Sequence, residues 1–383
     1  MIIAAIMAGS QPRRGSFKLW KHCESWIRLA CFLIAVGALT AAVTDINLAG
    51  AILTLRPLIF LPLLVLWIGP RMGEISILKF AQVAAILCFA NGFLGLVQSG
   101  LPGSHVLNRY ATDDIKYIAE MGAGVRATGT FSYLTGLTIM SSMGIWAGMV
   151  LLSVRSRGWK PLALGVAGIL GAFACAVSSG SRSPIVIGFA MLFIWTLGSA
   201  QAWKAIWRMA CLSLFALLLS ILILPSVAER FHAMGDGLID RFENSDSNTH
   251  RAFGQWEEVY HAASFHPFGR NLGGLQVGGH YASTGRMDLV DYESQFPRII
   301  AETGILGFVG FIVLVAGMIL ALELYRTQTR DHGGRLAIRA GQVLIGGLSY
   351  SSMVYNHTGS SFIFLVLLVS LSNKFSWRKR RLT

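Results

Sequence analysis

The stretch IIAETGILGFVGFIVLVAGMIL, residues 299–320, decides the kind of fold to which this chain belongs. It holds a single charged residue, near its start, in 22 positions. An apolar run of about 18 residues or more is long enough to cross the hydrocarbon core of a bilayer as a helix. Since lipid offers no hydrogen-bond partners to the backbone, helix is the expected form of such a segment. The stretch therefore predicts a transmembrane helix.

Similar apolar runs recur along the whole chain, in which 54% of the residues are hydrophobic and only 13% are charged. Soluble domains usually have about a quarter of their residues charged. We therefore predict an all-α polytopic membrane protein with about ten transmembrane helices. The predicted spans are residues 27–44, 48–69, 76–98, 129–152, 161–178, 183–198, 206–225, 299–320, 337–355 and 359–373.

The distribution of charge predicts the topology of these spans. With the N-terminus in the cytoplasm, 21 of the 32 Lys and Arg residues fall in cytoplasmic segments, whereas most of the 19 acidic residues fall outside. This is the positive-inside bias, and it predicts cytoplasmic termini in a bacterial inner-membrane protein. The predicted parts are a cytoplasmic segment 1–26, helices one to seven in 27–225 with an outer loop at 99–128, a large extracytoplasmic loop 226–298, helices eight to ten in 299–373, and a basic cytoplasmic tail 374–383.

Several classes of function are disfavoured by the sequence. The net charge of +13 is accounted for by topology, so we expect no nucleic-acid partner. A P-loop, a dinucleotide fingerprint and HExxH are missing, and the five cysteines lie in or beside spans, so we expect neither a cofactor nor a metal. The apolar N-terminal run precedes its charges, unlike a secretory signal.

Two arginines stand where a charge is costly. Arg182 lies in SSGSRSPIV between two spans, and Arg56 is the only charge well inside a span. A charge at membrane depth marks a candidate functional residue. Arg56 has the alternative of snorkelling to the membrane surface, and Arg182 that of a simple loop charge.

Further charged residues are predicted on the outer side. Convergence of several arginines would suit a diphosphate, because the planar guanidinium fork matches phosphate oxygens. A carboxylate near the membrane edge is able to act as a base, although solvated loop charge is the commoner role. The candidates are Arg126, Arg251, Arg270 and Arg298 for binding, Asp291 and Glu293 among the acids, and His357 as a further member.

The large loop contains one helical pattern. Phe253, Trp256, Val259, Tyr260 and Ala263 have the spacing of one apolar helix face. Two readings stay open, a helix on the membrane surface and a helix packed on the core of the loop.

At four stretches the sequence resembles the O-antigen ligase/polymerase superfamily of bacterial membrane glycosyltransferases. They are RATGTFSYLTG (126–136), SGSRSP (179–184), Arg251 and Trp256 with HPFGRNLGG (266–274), and DYESQFPRIIAETGILGF (291–308). The resemblance implies a GT-C-like fold and no metal. The implied partners are an undecaprenyl-diphosphate-linked glycan donor and acceptor and the bilayer, with a chain-length regulator as an optional further partner.

One departure from the family pattern affects the expected reaction. Ligases of the family have His-Asn nine residues before the Glu of the last stretch, where this chain has Glu293-Ser294. This favours a polymerase of O-antigen or exopolysaccharide repeat units. The implied catalytic residues are Glu293 as base and Arg182 and Arg251 on the diphosphate. The alternatives are a ligase that transfers glycan to lipid A–core or another acceptor, and a polysaccharide transporter or flippase.

Overall fold

The computed structural model describes a largely helical chain. The described residues are 14–68, 77–108, 120–121, 124–131, 134–153, 159–181, 183–198, 256–270, 272–274, 295–328 and 332–350. The helices are α1 (Arg14–Thr44), α2 (Leu48–Leu55), α3 (Leu61–Ile68), α4 (Ile77–Ser99), α5 (Leu134–Ser153), α6 (Trp159–Ser179), α7 (Ser183–Gly198), α8 (256–265), α9 (Gln295–Gln328) and α10 (His332–Tyr350).

Five of the described helices are long and apolar enough to cross a membrane. These segments are Glu24–Thr44, Leu78–Ser99, Thr135–Ser153, Trp159–Ser179 and Gln295–Glu323. Shorter apolar helices cover Leu48–Leu64 and Pro184–Phe193. The chain is thus a helical, polytopic membrane protein, as the apolar runs predicted. The predicted spans 206–225 and 359–373 lie outside the described residues, and the number ten stays a prediction.

Two details differ from the predicted all-α spans and loops. The segment 99–128, which was predicted to be an outer loop, contains a short antiparallel ladder of β1 (Glu120–Met121) and β2 (Gly124–Val125). The ladder pairs backbone groups that are not in a helix. The fourth span was predicted from residue 129, but α5 begins at Leu134. Gly129 has a φ of 65°, which is outside the helical region, so the chain before α5 is a turn.

The second predicted span, 48–69, is broken in its middle. After α2 the chain makes a π-helical turn, Arg56–Phe60, in which the Leu61 N–H donates to the carbonyl of Arg56. Pro57 explains the break, because proline has no N–H and its ring clashes with the carbonyl four residues earlier in a regular helix. Arg56 is the first residue of this turn and its side chain is exposed.

The described residues fall into two compact units. The first unit includes α1, α2, α3, α8 and α9. Its main contact is α1 along α9, and the helices approach closely because Gly37 lies against Thr303 and Gly307. Ile34, Leu58 and Phe311 are among the fully buried side chains of this unit.

The second unit includes nearly all of α4 and the helices α5, α6 and α7. Here α5 packs along α6 and against α7, and it is buried on almost all sides. The ring of Trp146 is buried and lies 5.9 Å from that of Phe80 on α4. Serines of α5 that face the interior have partners within it, since the Ser141 hydroxyl donates to the carbonyl of Ala172 at 2.7 Å.

Candidate active site

In the first unit, the described residues of the HPFGRNLGG stretch, 266–270 and 272–274, lie against the last turn of α1 and the start of α2. The hydroxyl of Thr40 donates to the carbonyl of Phe268 at 3.3 Å, and that of Thr44 donates to the carbonyl of Arg270 at 2.8 Å. The Asn47 N–H, at the start of α2, donates to the carbonyl of Leu272 at 3.1 Å. A loop segment far along the chain is therefore fixed to the ends of two apolar helices.

The same stretch is bonded to α9 at a kink. Gly304 has a φ of 70° and a ψ of 179° inside an otherwise helical segment, a conformation that is essentially restricted to glycine. The Ile305 N–H donates to the carbonyl of Pro267 at 2.9 Å, and the Arg270 N–H donates to the carbonyl of Ala301 at 2.8 Å. Two stretches that carry the family resemblance, HPFGRNLGG and ETGILG, thus meet at one place.

Immediately before the kink, α9 buries a row of polar side chains. Gln295, Arg298 and Glu302 are spaced by three and four residues, so they share one helix face, and they are 3%, 4% and 1% exposed. The Thr54 hydroxyl donates to Glu302 Oε2 at 2.9 Å, and Thr54 is itself buried. The row offers an amide, a guanidinium and a carboxylate, which are groups that bind hydroxyls and phosphates.

One face of helix α8 packs against the first turns of α9. Ala262 is fully buried against Ile300 and Ala301, and Val259 and Ala263 pack around them. Trp256 and Tyr260 are 51% and 77% exposed. The helix predicted in the large loop is confirmed over 256–265. Its small residues pack on the protein, while Trp256 and Tyr260 stay largely at the surface.

In the second unit, two other stretches that carry the resemblance are joined through Arg126. Its Nε donates to the carbonyl of Ser179 at 2.9 Å, and its Nη2 donates to Ser181 Oγ at 3.3 Å. The Ala127 N–H also donates to the carbonyl of Ser178 at 2.8 Å. RATGTF is thereby held against SGSRSP, at the residues that directly precede Arg182.

Two polar side chains of α4 fix the turn that follows Arg126. Asn91 Oδ1 accepts hydrogen bonds from the N–H and the hydroxyl of Thr130, at 2.9 and 2.8 Å. Gln98 exchanges two hydrogen bonds with the backbone of Gly129. The turn at Gly129 and Thr130 is therefore held by hydrogen bonds from within the second unit.

The structure describes four of the nine predicted site residues. Arg56 and Arg270 are exposed, Arg126 is half-buried, and Arg298 is buried. The near-complete burial of Arg298 favours interactions within the protein. The role of each residue in substrate binding stays a prediction. Arg182, Arg251, Asp291, Glu293 and His357 lie outside the described residues.

Glu302 and Thr54 are the functional candidates that sequence reasoning did not select. In the sequence, Glu302 serves only as the reference point of a motif, and Arg56 is predicted to be the only charge well inside a span. A carboxylate four residues into the predicted span 299–320 was the available signal. Ionisable residues within spans are costly and are functional candidates for that reason.

The helices and their polar contacts define the chain as a polytopic membrane protein with a loop turn fixed to the ends of its apolar helices. Among the described residues, no group of three or more His, Cys, Asp and Glu side chains is placed to hold a metal ion.

Residues 166–312 match the family model described as O-antigen ligase. The match supports membership of the chain in the O-antigen ligase superfamily, as the four stretches predicted. It also supports, in general terms, an enzyme of the membrane glycosyltransferase type with a ligase- or polymerase-like function. The matched segment includes SGSRSP, HPFGRNLGG and ETGILGF, while RATGTF precedes it. No curated protein sequence matches the chain.

Proposed function

We propose that the protein polymerises undecaprenyl-diphosphate-linked oligosaccharide repeat units at the outer face of the cytoplasmic membrane. The observation that carries the proposal is the junction of HPFGRNLGG with the kink at Gly304, within the segment that matches the O-antigen ligase family. This junction lies where the large loop meets the apolar helices, beside the buried row of Gln295, Arg298 and Glu302. A membrane-embedded site of this kind suits a substrate whose lipid tail stays in the bilayer.

The reaction is an inverting glycosyl transfer. A hydroxyl at the nonreducing end of one lipid-linked glycan attacks the anomeric carbon of a second. The new glycosidic bond forms as the bond to undecaprenyl diphosphate breaks, and the hydroxyl proton passes to the carboxylate of Glu293. The diphosphate leaves with the electron pair of the broken bond. Arginine side chains stabilise the charge that develops on it.

The arginines have separate roles in this proposal. Arg182 and Arg251 bind the diphosphate, with Arg126 as a further member of the binding set. The contacts of Arg126 add a positioning role, because its guanidinium holds Ser179 and Ser181 immediately before Arg182. A preorganised arginine that donates hydrogen bonds to the charge developing on the diphosphate contributes about 3–4 kcal/mol to transition-state stabilisation.

The choice of polymerase over ligase follows from Glu293-Ser294, which stands where ligases of the family have His-Asn. Gel analysis after gene deletion separates the candidate functions. Loss of a polymerase leaves single repeat units, loss of a ligase leaves long lipid-linked chains, and loss of a flippase leaves neither outside.

The Glu293→Gln variant tests the assignment of the base. We expect normal protein levels and a fall in polymerisation of about 10²-fold or more, because the amide cannot accept the hydroxyl proton. The measurement is the glycan ladder of deletion cells that carry the variant. Glu257→Gln is the matched control, since Glu257 is exposed on α8 of the same loop, and it should restore the full ladder. A full ladder with Glu293→Gln would remove the base assignment.

A further inference from the structure

The segment from Phe268 to Arg270 runs along the last turn of α1. The carbonyls of Phe268 and Arg270 accept hydrogen bonds from the hydroxyls of Thr40 and Thr44, which are four residues apart on that helix. Four residues correspond to about 6 Å along a helix axis. Phe268 therefore lies about one helical turn deeper along the span than Arg270, which is level with its end.

The exposed side chains one helical turn before the end of α1 are apolar, and the exposed side chain of Arg270, level with that end, is cationic. Leu39 and Val43, on the adjacent face of α1, are 69% and 83% exposed, and Phe268 is 70% exposed. Because Glu24–Thr44 is long and apolar enough to span a membrane, such side chains lie against lipid. The side chain of Arg270 is exposed at the end of the same helix. This order matches a lipid, whose acyl chain lies deeper than its phosphate.

The backbone that presents these side chains is fixed. The Arg270 N–H donates to the carbonyl of Ala301, while its own carbonyl accepts from Thr44. Gly269 has a φ of 79°, and a Cβ there would lie 2.6 Å from the Cβ of Ala41. The turn is therefore pressed against α1 and held from two sides. The backbone at this site therefore needs no further ordering when a ligand binds.

We propose that Phe268 and Arg270 form a binding site for a phospholipid of the bilayer. The guanidinium of Arg270 binds the phosphate, and Phe268, Leu39 and Val43 contact the acyl chain. Charge complementarity favours an anionic headgroup, because a cationic side chain near the membrane surface attracts anionic lipids. The proposal does not depend on the polymerase reaction, and its lipid is a structural partner of the loop turn.

Native mass spectrometry of the purified protein with phosphatidylglycerol tests the proposal. Arg270→Ala should weaken retention of this lipid about fivefold, the contribution of one arginine near a membrane surface. Phe268→Ala should weaken it as well, because the acyl chain loses its aromatic contact. The turn should survive both substitutions, since its bonds to α1 and α9 are made by the backbone. Arg335→Ala is the matched control, an exposed arginine of α10, and should retain the lipid like the wild type.

Undecaprenyl phosphate, offered alone, is the second probe. A variant Arg270→Ala that binds phosphatidylglycerol as tightly as the wild type would overturn the proposal. The proposal would also be overturned if Arg270→Ala lost binding of undecaprenyl phosphate but kept binding of phosphatidylglycerol. The site would then belong to the lipid-linked substrate. Equal losses in Arg270→Ala and Arg335→Ala would likewise overturn it, since the effect would be one of total charge.

Discussion

At Glu302, a carboxylate is buried in a helix that is apolar enough to span a membrane, and Thr54 donates a hydrogen bond to it. Burial of an ionised carboxylate is costly unless hydrogen bonds and an opposite charge compensate it. Arg298 lies one turn earlier on the same helix face, where side chains are neighbours. Glu302 thus belongs to a polar row inside an apolar helix pair, and Thr54 ties that row to α2.

The Thr54→Val variant isolates this hydrogen bond. Valine has nearly the shape of threonine but no donor, so the buried carboxylate loses the hydrogen bond from Thr54, at a cost of about 1–3 kcal/mol. We expect the free energy of unfolding, measured by SDS titration in mixed micelles, to fall by that amount. Thr54→Ser keeps a hydroxyl and should recover most of the loss. Equal destabilisation by valine and serine would show that the methyl group, and not the hydrogen bond, matters.

From the sequence, candidate site residues could be selected by their type, but their hydrogen-bond partners could not be predicted. Thr54 and Glu302 are 248 positions apart, and no local pattern indicates that they meet. The same holds for Arg126, whose hydrogen bonds reach residues 53 and 55 positions away. Its guanidinium was predicted to bind a diphosphate. Its binding of a diphosphate stays a prediction, and the hydrogen bonds show that Arg126 joins two stretches of the chain.

Among the elements, the kink in α9 is the feature on which the candidate site depends. Gly304 separates two helical segments, and the turn at Pro267 and Phe268 fits against it. The backbone of a side-chain-bearing residue rarely adopts this conformation. A Cβ at position 304 would also lie 2.7 Å from the carbonyl oxygen of Pro267.

The Gly304→Ala variant should therefore be unstable. Backbone strain alone is expected to cost about 1–3 kcal/mol, and the contact with Pro267 adds to it. The measurement is again the free energy of unfolding in mixed micelles. Gly346→Ala is the matched control. Gly346 lies in helix α10, in the part of it that belongs to the first unit. A Cβ there would meet nothing nearer than Ile319, at 3.9 Å. That variant should be neutral or more stable by up to about 1 kcal/mol. Similar stabilities of the two variants would contradict the account of the kink.

Elements were predictable where hydropathy alone decides. The predicted runs 27–44, 161–178 and 299–320 lie within α1, α6 and α9, and all of the run 76–98 except its first residue lies in α4. The breaks at Pro57 and Gly304 were not predicted. They arise from backbone geometry, which the mean hydropathy of a segment does not report. The start of α5 was misplaced by five residues for a related reason, because Gln98 and Asn91 hold the preceding turn through side-chain bonds.

For the whole molecule, composition was sufficient to predict a polytopic membrane protein, and four short stretches predicted the O-antigen ligase superfamily. Both predictions are confirmed, by the apolar helices and by the family match at 166–312. The stretches proved to be joined in pairs, through Arg126 and through the kink at Gly304. Such pairing depends on long-range packing, which no spacing along the chain specifies. Ten spans, cytoplasmic termini and the polymerase reaction remain predictions.

We propose that this chain joins lipid-linked repeat units. The most direct test of this proposal is incubation of the purified protein in liposomes with an undecaprenyl-diphosphate-linked repeat unit, followed by gel separation of the products. We expect a ladder of lipid-linked chains that differ by one repeat unit, and no ladder with Glu293→Gln. Repeat units that stay single until lipid A–core is added, and are then transferred to it, would contradict the polymerase and establish a ligase.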